Sequence, residues 1–422
     1  MNETPTFQPR RAWSITALIA ILMVINFLDK VVLGLVSVPM MDELQLTPVQ
    51  FGLIGGSLHW FYAVAAVAGG FLANRVAARW ILFGMALLWS AVQLPIFAAQ
   101  SIWVIIACRV LLGIGEGPAT PVATHAVYKW FPDKKRSLPV ALVHQGSALG
   151  LLAGGLLIPF VTSHWGWRAN FVVLAVIGFI WAGLWLLFGA EGNYDEHASA
   201  NESTGTQDKT IPYRRLFTDP TVIGNYLSHF GAYWILAVIL TWLPAYLQKG
   251  LGYPPSDAGK LFALFILITM PIGLLLAWAS QRLLTKGVSS RLARGAFIGI
   301  SLIAAGALLT LLPLSLPGPL KFLLLALGAG LTSVVYSIGP AVLGEIAPVR
   351  QRGAVLAVAV VFTSISGFLS PLATGALLQR YGTTGGLGYE YAFLLAGTIT
   401  LVFGVIVALT VNPERTRLRL PR

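Results

Sequence analysis

A chain of 422 residues in which 56% are hydrophobic and only 10% charged has too much apolar surface for a water-soluble core, so the composition excludes an ordinary soluble domain and calls for a membrane as solvent. The formal net charge of +12 would suit a nucleic-acid partner, but Lys and Arg retained in cytoplasmic loops account for nearly all of it. One cysteine, Cys108, excludes an intrachain disulfide and a thiolate metal cluster.

Crossing about 30 Å of hydrocarbon takes roughly 20 predominantly apolar residues. In chain order, twelve stretches meet that requirement: 13–36, 48–73, 80–99, 101–123, 137–162, 168–190, 222–248, 256–281, 291–313, 319–343, 352–379 and 389–411. The first is too long for a cleavable signal, is interrupted by Asp29 and Lys30, and is followed by further spans, so it is expected to stay in the mature protein. Between the sixth and seventh spans the chain is polar, with a Ser/Asn/Glu/Thr-rich centre at 198–207 that cannot form a packed core. The expected organisation is an N-terminal six-helix bundle at 1–190, a cytoplasmic linker at 191–220 and a C-terminal six-helix bundle at 221–422.

With the N-terminus inside, the inner segments collect Arg10, Arg75, Lys129, Arg136, Lys209, Arg282, Arg350, Arg415 and their basic neighbours. The outer segments hold only Arg168, Lys249, Lys260, Lys321 and Arg380. This bias of about four to one places both termini in the cytoplasm by the positive-inside rule.

The halves repeat each other in the same orientation. GGFLANR (Gly69–Arg75) closes the second span and LLAWASQR (Leu275–Arg282) the eighth; PDKKRSLPVA from Pro132 enters the fifth and PVRQRGAVLA from Pro348 the eleventh. Arg282 follows Arg75 by 207 residues and Arg352 follows Arg136 by 216, so one duplication accounts for both. A parallel six-plus-six repeat, with the bundles related by a pseudo-two-fold, suggests two bodies rocking about a central site.

Setting the loops aside leaves four ionisable residues well inside spans, all in the first half: Asp29, Lys30, Arg109 and Glu116. A charge at mid-bilayer costs about 3 kcal/mol or more, and it persists where it is paired, solvated or functional. Counted from the outer span ends, Lys30 and Arg109 both lie roughly 9–12 Å below the surface, and Glu116 is two turns beyond Arg109 on nearly the same face, about 10 Å closer to the cytoplasm. On the functional reading, Lys30 and Arg109 bind a substrate carboxylate, Arg109 by a planar two-pronged contact and Lys30 as a point charge. Asp29 and Glu116 then exchange protons, and an anion that occupies the cations leaves the acids readier to take them up. The alternative is a salt-bridge set that only fixes helix packing.

The twelve spans, the glycine-rich loop at Gly69–Arg79 and its echo at Ser280–Arg282 resemble the major facilitator superfamily. NFLDK (Asn26–Lys30), RVLLGIGEGPATP from Arg109 and KWFPDKKR (Lys129–Arg136) resemble its anion:cation symporter branch, which includes bacterial sugar-acid and phthalate permeases and animal vesicular glutamate and sialic-acid carriers. The resemblance implies that Asp29 and Glu116 couple protons and that Lys30 and Arg109 bind substrate. It also implies that Tyr62 and Gln145 contact substrate, and that Ser364 stands where the branch often has Asn. Tyr336 and Ser337 join these as polar cavity candidates, together with His125, His144, Asn225, Tyr226, Tyr233 and Ser366; each needs a helix neighbour or a ligand. Lys30 replaces the usual Arg and Phe27 a common Tyr, which points to a less hydroxylated or aromatic carboxylate.

The loop with Gly70, Asn74, Arg75 and Arg79, and its counterpart at Gln281 and Arg282, are expected to latch a gate, the arginines meeting helix C-terminal carbonyls or acids. Asn74 and Gln281 replace the usual carboxylate. Gly146, Gly150, Gly154 and Gly155 let the fifth span approach a neighbour closely. Gly113-x-Gly115-x-Gly117 follows no strand and is no dinucleotide fingerprint; the chain is not expected to be an enzyme or to carry a metal or cofactor. The expected function is proton-coupled import of a small organic carboxylate by rocker-switch alternating access, by a monomer in a bacterial inner membrane. Its competitor is a proton-coupled antiporter exporting drugs or metabolites, which the basic pair disfavours.

Overall fold

The computed structural model describes residues 8–73, 75–132, 135–192 and 211–419. Asn74 and residues 193–210 of the expected linker lie outside the described residues. Twelve helices are long and apolar enough to cross a membrane: α1 (Pro9–Leu35), α2 (Pro48–Ala73), α3 (Ala78–Ala98), α4 (Ile102–Tyr128), α5 (Ser137–Trp165), α6 (Ala169–Phe188), α7 (Pro220–Gly250), α8 (Pro255–Thr285), α9 (Arg291–Thr310), α10 (Gly318–Ile346), α11 (Arg352–Tyr381) and α12 (Leu387–Thr410). The described residues contain no strand. That is the outcome hydrocarbon imposes, because a helix satisfies its own backbone N–H and C=O groups.

Helix ends follow local chemistry. Proline opens α1, α7 and α8 within the first two positions, where its missing N–H costs nothing. Asp219 Oδ1 accepts from Thr221 N at 2.8 Å and caps the start of α7. Gly166 (φ +82°) follows α5 and Gly382 (φ +89°) follows α11, each where the chain turns through the left-handed region. Gly382 lies 216 residues after Gly166, the same interval that separates Arg136 from Arg352.

The described residues fall into two compact units, one within 8–40 and 57–192, the other within 41–56 and 211–419. The second unit thus takes in a segment of the first half, from the end of the short helix Ser37–Leu44 into the start of α2. Phe51 stands 4.9 Å from the Trp242 ring within it, and Trp242 Nε1 donates to Pro371 O at 3.1 Å.

In the first unit α1 packs along α5, and α3 along α6. Small residues make the first contact close: a Cβ on Gly146 would stand 2.4 Å from Ala20 O, and one on Gly150 2.4 Å from Val24 O. Buried indoles pin α6: Trp181 Nε1 donates to Leu18 O and Trp185 Nε1 to Arg79 O, the two rings stacked at 5.1 Å. Arg168 Nη1 reaches the carbonyls of Ile96, Phe97 and Ala99 at 2.8–3.2 Å and so closes the C-terminal end of α3.

The second unit repeats this plan internally, with α7 along α11 and α9 along α12. Its polar pins are Tyr226 to Val355 O, Asn225 to Gly339 O and Ser366 to Phe230 O. A buried ion pair, Lys321 Nζ to Glu390 Oε1 at 2.5 Å, ties α10 to α12, and Tyr246 donates to the same oxygen at 3.3 Å.

Two helices of the first unit are interrupted. α2 loses helical form at residues 58–61 and α4 at 117–118, where Gly117 precedes Pro118. The interruptions face each other. A Cβ on Gly113 would meet Leu58 O at 1.8 Å, and one on Gly117 would meet Tyr62 O at 2.4 Å, so the backbones touch where only hydrogen fits.

Candidate functional site

The four buried charges of the first unit come together on α1 and α4. Asp29 is 1% exposed, Arg109 3% and Glu116 0%. Lys30 Nζ lies 3.4 Å from Glu116 Oε2 and donates to Asn26 Oδ1 at 2.9 Å. Asn26 and Lys30 are one turn apart on α1 and therefore share a face. The Lys30 ammonium also sits over two aromatic faces, Phe27 at 4.4 Å and Tyr62 at 5.4 Å, an arrangement that stabilises a cation in apolar surroundings. The ring of His59 stands 5.9 Å from that of Tyr62.

Arg109 Nη1 donates to the backbone carbonyl of Asp29 at 3.2 Å, and its Nε has no hydrogen-bond partner among the described residues. The Asp29 carboxylate is held by Gln93 of α3, whose Nε2 donates to Oδ1 at 2.8 Å. Glu116 Oε1 also finds no donor. Unsatisfied polar atoms in a buried site carry a penalty of about 1–3 kcal/mol each, and here they sit on the groups that a carboxylate ligand or a proton would satisfy.

Other sequence candidates belong to both units. Gln145 is half-buried on α5. In the second unit Tyr336 is 38% exposed and Ser337 is also exposed, its hydroxyl turned back to Val334 O at 3.1 Å. Ser364 is buried, and its hydroxyl has no hydrogen-bond partner among the described residues. Tyr226, Asn225 and Ser366 serve the packing described above.

Of the expected latch, Gly70 lies in the last turns of α2, where nothing stands within 4 Å of a Cβ built on it, and Arg75, just beyond the helix, is exposed. Arg79 Nη2 donates to Leu186 O at 2.9 Å, near the C-terminal end of α6. Gln281 and Arg282 are exposed, Arg282 over the Trp278 ring at 5.0 Å.

Three residues escaped the sequence reading. Gln93 and Asn26 are neutral and give no charge to flag, although a lone amide in an apolar span is itself a signal. Glu191 is the first residue of the expected linker. Its carboxylate caps the start of α3, accepting from Ala78 N at 3.2 Å and Arg79 N at 3.0 Å, and pairs with Lys129 at 2.6 Å. Burial acts to raise the Glu191 pKa, but the Lys129 hydrogen bond and charge and the two backbone N–H groups outweigh it and hold the carboxyl below its usual range. In the second unit Glu414 accepts from Ser290 N at 2.8 Å at the start of α9, while Glu345 collects Arg294, Ser290 Oγ and Arg417.

The Major Facilitator Superfamily profile matches residues 19–288 and 282–422, between them nearly the whole chain.

The chain belongs to the Major Facilitator Superfamily.

As a member of this superfamily it is a transporter and not an enzyme. Among its relatives is the chloroplastic ascorbate transporter of Arabidopsis thaliana, 26% identical over 94% of this chain and 76% of that protein. The hexuronate transporter of Bacillus subtilis is 27% identical over 92% of each. In fold the chain is similar to a bacterial homologue of the human lysosomal transporter Spinster in an inward-facing, occupied conformation. There the TM-score is 0.80 and the identity 18%, over 98% of this chain and 99% of that one. Relatives of this superfamily transporter thus carry organic anions.

Proposed function

We propose that this transporter is a proton-coupled symporter that imports a small organic carboxylate by alternating access of its two bundles. It works as a monomer in a bacterial inner membrane with both termini in the cytoplasm. The observation that carries the reading is the interleaving of two cations with two carboxylates in one buried cluster, with Lys30 shared among Glu116, Asn26 and two aromatic faces. A substrate carboxylate competes with Glu116 for Lys30 and meets the Arg109 guanidinium as a bidentate partner. Glu116, parted from its counterion in apolar surroundings, is neutralised by a proton. Anion and proton therefore enter together. Asp29, on the same stretch of α1 as Lys30 and restrained by Gln93 of α3, is the second acid of the pathway. The Arabidopsis and Bacillus relatives are named for carrying sugar-derived anions. With Phe27 against Lys30 in place of a hydroxyl, the substrate favoured here is an aromatic or sparsely hydroxylated acid. Gly70, Asn74, Arg75, Arg79, Gln281 and Arg282 latch the inner gate, and Tyr62, Gln145, Tyr336, Ser337 and Ser364 line the substrate path.

The test is uptake into proteoliposomes of the purified protein, with the acid identified beforehand by thermal shift at about pH 5.5 and about pH 7.5. An inward proton gradient is expected to drive accumulation of a carboxylate. Accumulation indifferent to that gradient, or stabilisation by hydrophobic cations alone, overturns the reading.

A further inference from the structure

Within the buried cluster one contact is longer than its charges alone would make it. Lys30 Nζ stands 3.4 Å from Glu116 Oε2, whereas an ammonium and a carboxylate in hydrogen-bonded contact lie about 2.7–2.9 Å apart. Neither Glu116 oxygen has a hydrogen-bond partner among the described residues, although the residue is 0% exposed. The same ammonium makes a full-length bond to a neutral group, the Asn26 amide oxygen, at 2.9 Å.

In apolar surroundings the attraction between unit charges exceeds that between a charge and an amide dipole, so an open pair needs a restraint. Helix geometry supplies one. Asn26 precedes Lys30 by four residues on α1, so amide and ammonium share a face and the bond forms within one helix, independently of α4. Asn26 is itself 0% exposed, which keeps bulk water from competing for that bond. The rings of Phe27 and Tyr62 add their attraction for the ammonium at 4.4 and 5.4 Å. The charged groups facing Glu116 are Lys30 and Asp29 of α1 and Arg109 of its own helix. α2 brings Tyr62, with His59 beside it, and α3 brings the neutral Gln93, bonded to Asp29. α5, also packed on α4, carries the exposed His144.

We propose that Asn26 is a positioning residue whose amide oxygen holds the Lys30 ammonium off Glu116, keeping the ion pair open to an incoming carboxylate and to a proton. A contact pair would resist displacement by a substrate and would hold Glu116 ionised. With Lys30 tethered to its own helix, the substrate has no ammonium–carboxylate hydrogen bond to break, and Lys30 keeps a partner while Glu116 is neutralised. The Asn26 amide nitrogen is directed at Glu116 but has no hydrogen-bond partner among the described residues, so the tether to Lys30 is the larger effect. The proposal rests on the reading above of Glu116 as a proton carrier and Lys30 as an anion site.

The experiment is pH-difference infrared spectroscopy of the full chain in lipid, which follows carboxyl protonation with no substrate present. The Glu116 band is the one that Glu116→Gln deletes. Asn26→Leu removes the acceptor at nearly constant volume, and Lys30 closes on Glu116. Hydrogen bonds to charged groups are strong enough to move a titration by one pH unit or more, so the midpoint of the Glu116 band is expected to fall by about one pH unit. Asn26→Ser is the second variant should Asn26→Leu fail to fold. Its hydroxyl is expected to turn back to its own helix, as that of Thr16 does to Ala12 O at 2.8 Å, and to give the same fall. A midpoint that stays in place or rises in a folded variant would overturn the tether while leaving Glu116 as the proton carrier. If Glu116→Gln deletes no titrating band, the carrier reading itself is overturned, and the tether with it.

Discussion

Lys30 Nζ and the Glu116 carboxylate stand 3.4 Å apart across α1 and α4, with side chains 8% and 0% exposed. The contact neutralises both helices where neither could hold its charge alone. Glu116→Gln keeps the shape and removes the titratable proton. It is expected to abolish accumulation driven by a proton gradient while sparing exchange of substrate across a proteoliposome membrane. A mutant that still concentrates substrate would remove Glu116 from the coupling path.

Arg109→Ala deletes the hydrogen bond to Asp29 O together with the fork offered to a carboxylate. Hydrogen bonds to charged groups are worth about 1.5–3 kcal/mol each, so substrate affinity is expected to fall by at least an order of magnitude. Thermal shift against the substrate measures this, and an unchanged dissociation constant would return Arg109 to a packing role.

Gln93 anchors Asp29 across 64 positions of chain. Gln93→Leu leaves a buried carboxylate oxygen unpaired, at a cost of about 1–3 kcal/mol. Because Asp29 must then be satisfied by a proton or by Arg109, the pH profile of uptake is expected to move relative to wild type. Gln93→Glu, which retains length but adds a competing acid, is expected to move it further. Identical profiles in all three proteins would make Gln93 a spectator.

Glu191 supplies a pH dependence outside the membrane spans. Its carboxyl is held below the ordinary range in the folded protein, so the unfolded chain binds the proton more readily. The stabilisation is fully present above the unfolded value of about 4.3 and is lost as pH falls through the lower folded value. Melting temperatures of wild type and Glu191→Gln are expected to differ at neutral pH and to converge in acid. A gap independent of pH would assign the role of Glu191 to shape alone.

Lys321 and Glu390 form a second buried pair, in the second unit. Removing one partner strands the other charge, which costs about 3–5 kcal/mol. Lys321→Met alone is expected to lower the melting temperature sharply, and Lys321→Met with Glu390→Leu to recover most of it. A double variant as unstable as the single would show that packing, and not charge, is decisive there.

The spans were legible because hydropathy over twenty residues is a local property, insensitive to what each helix meets; each stretch read from composition overlaps one observed helix, with ends moved by a few residues. The buried charges were legible for the same reason, since a charge in an apolar run is conspicuous without knowing its partner. Interruptions within helices were not. The break at residues 58–61 arises where α2 touches Gly113, a contact between residues more than fifty positions apart. Glu191 was obscured by the polar segment after it, and its partners Ala78 and Arg79 lie more than a hundred positions away at the start of α3. The grouping of 41–56 with the second unit left no mark in the sequence either, because Phe51 and Trp242 look like ordinary apolar residues until they meet.

The backbone contacts at Gly113 and Gly117 limit which sequences can encode this bundle. Alanine is usually the gentlest replacement for glycine within a helix, and by helix propensity alone it would stabilise. Here its one extra carbon would fall within 1.8 Å of Leu58 O or 2.4 Å of Tyr62 O, on main-chain atoms that no rotamer change can move aside. Tolerance at these two positions thus does not decline gradually with side-chain size. It ends at the first atom, and a lineage that acquires alanine at 113 must also acquire a displaced α2.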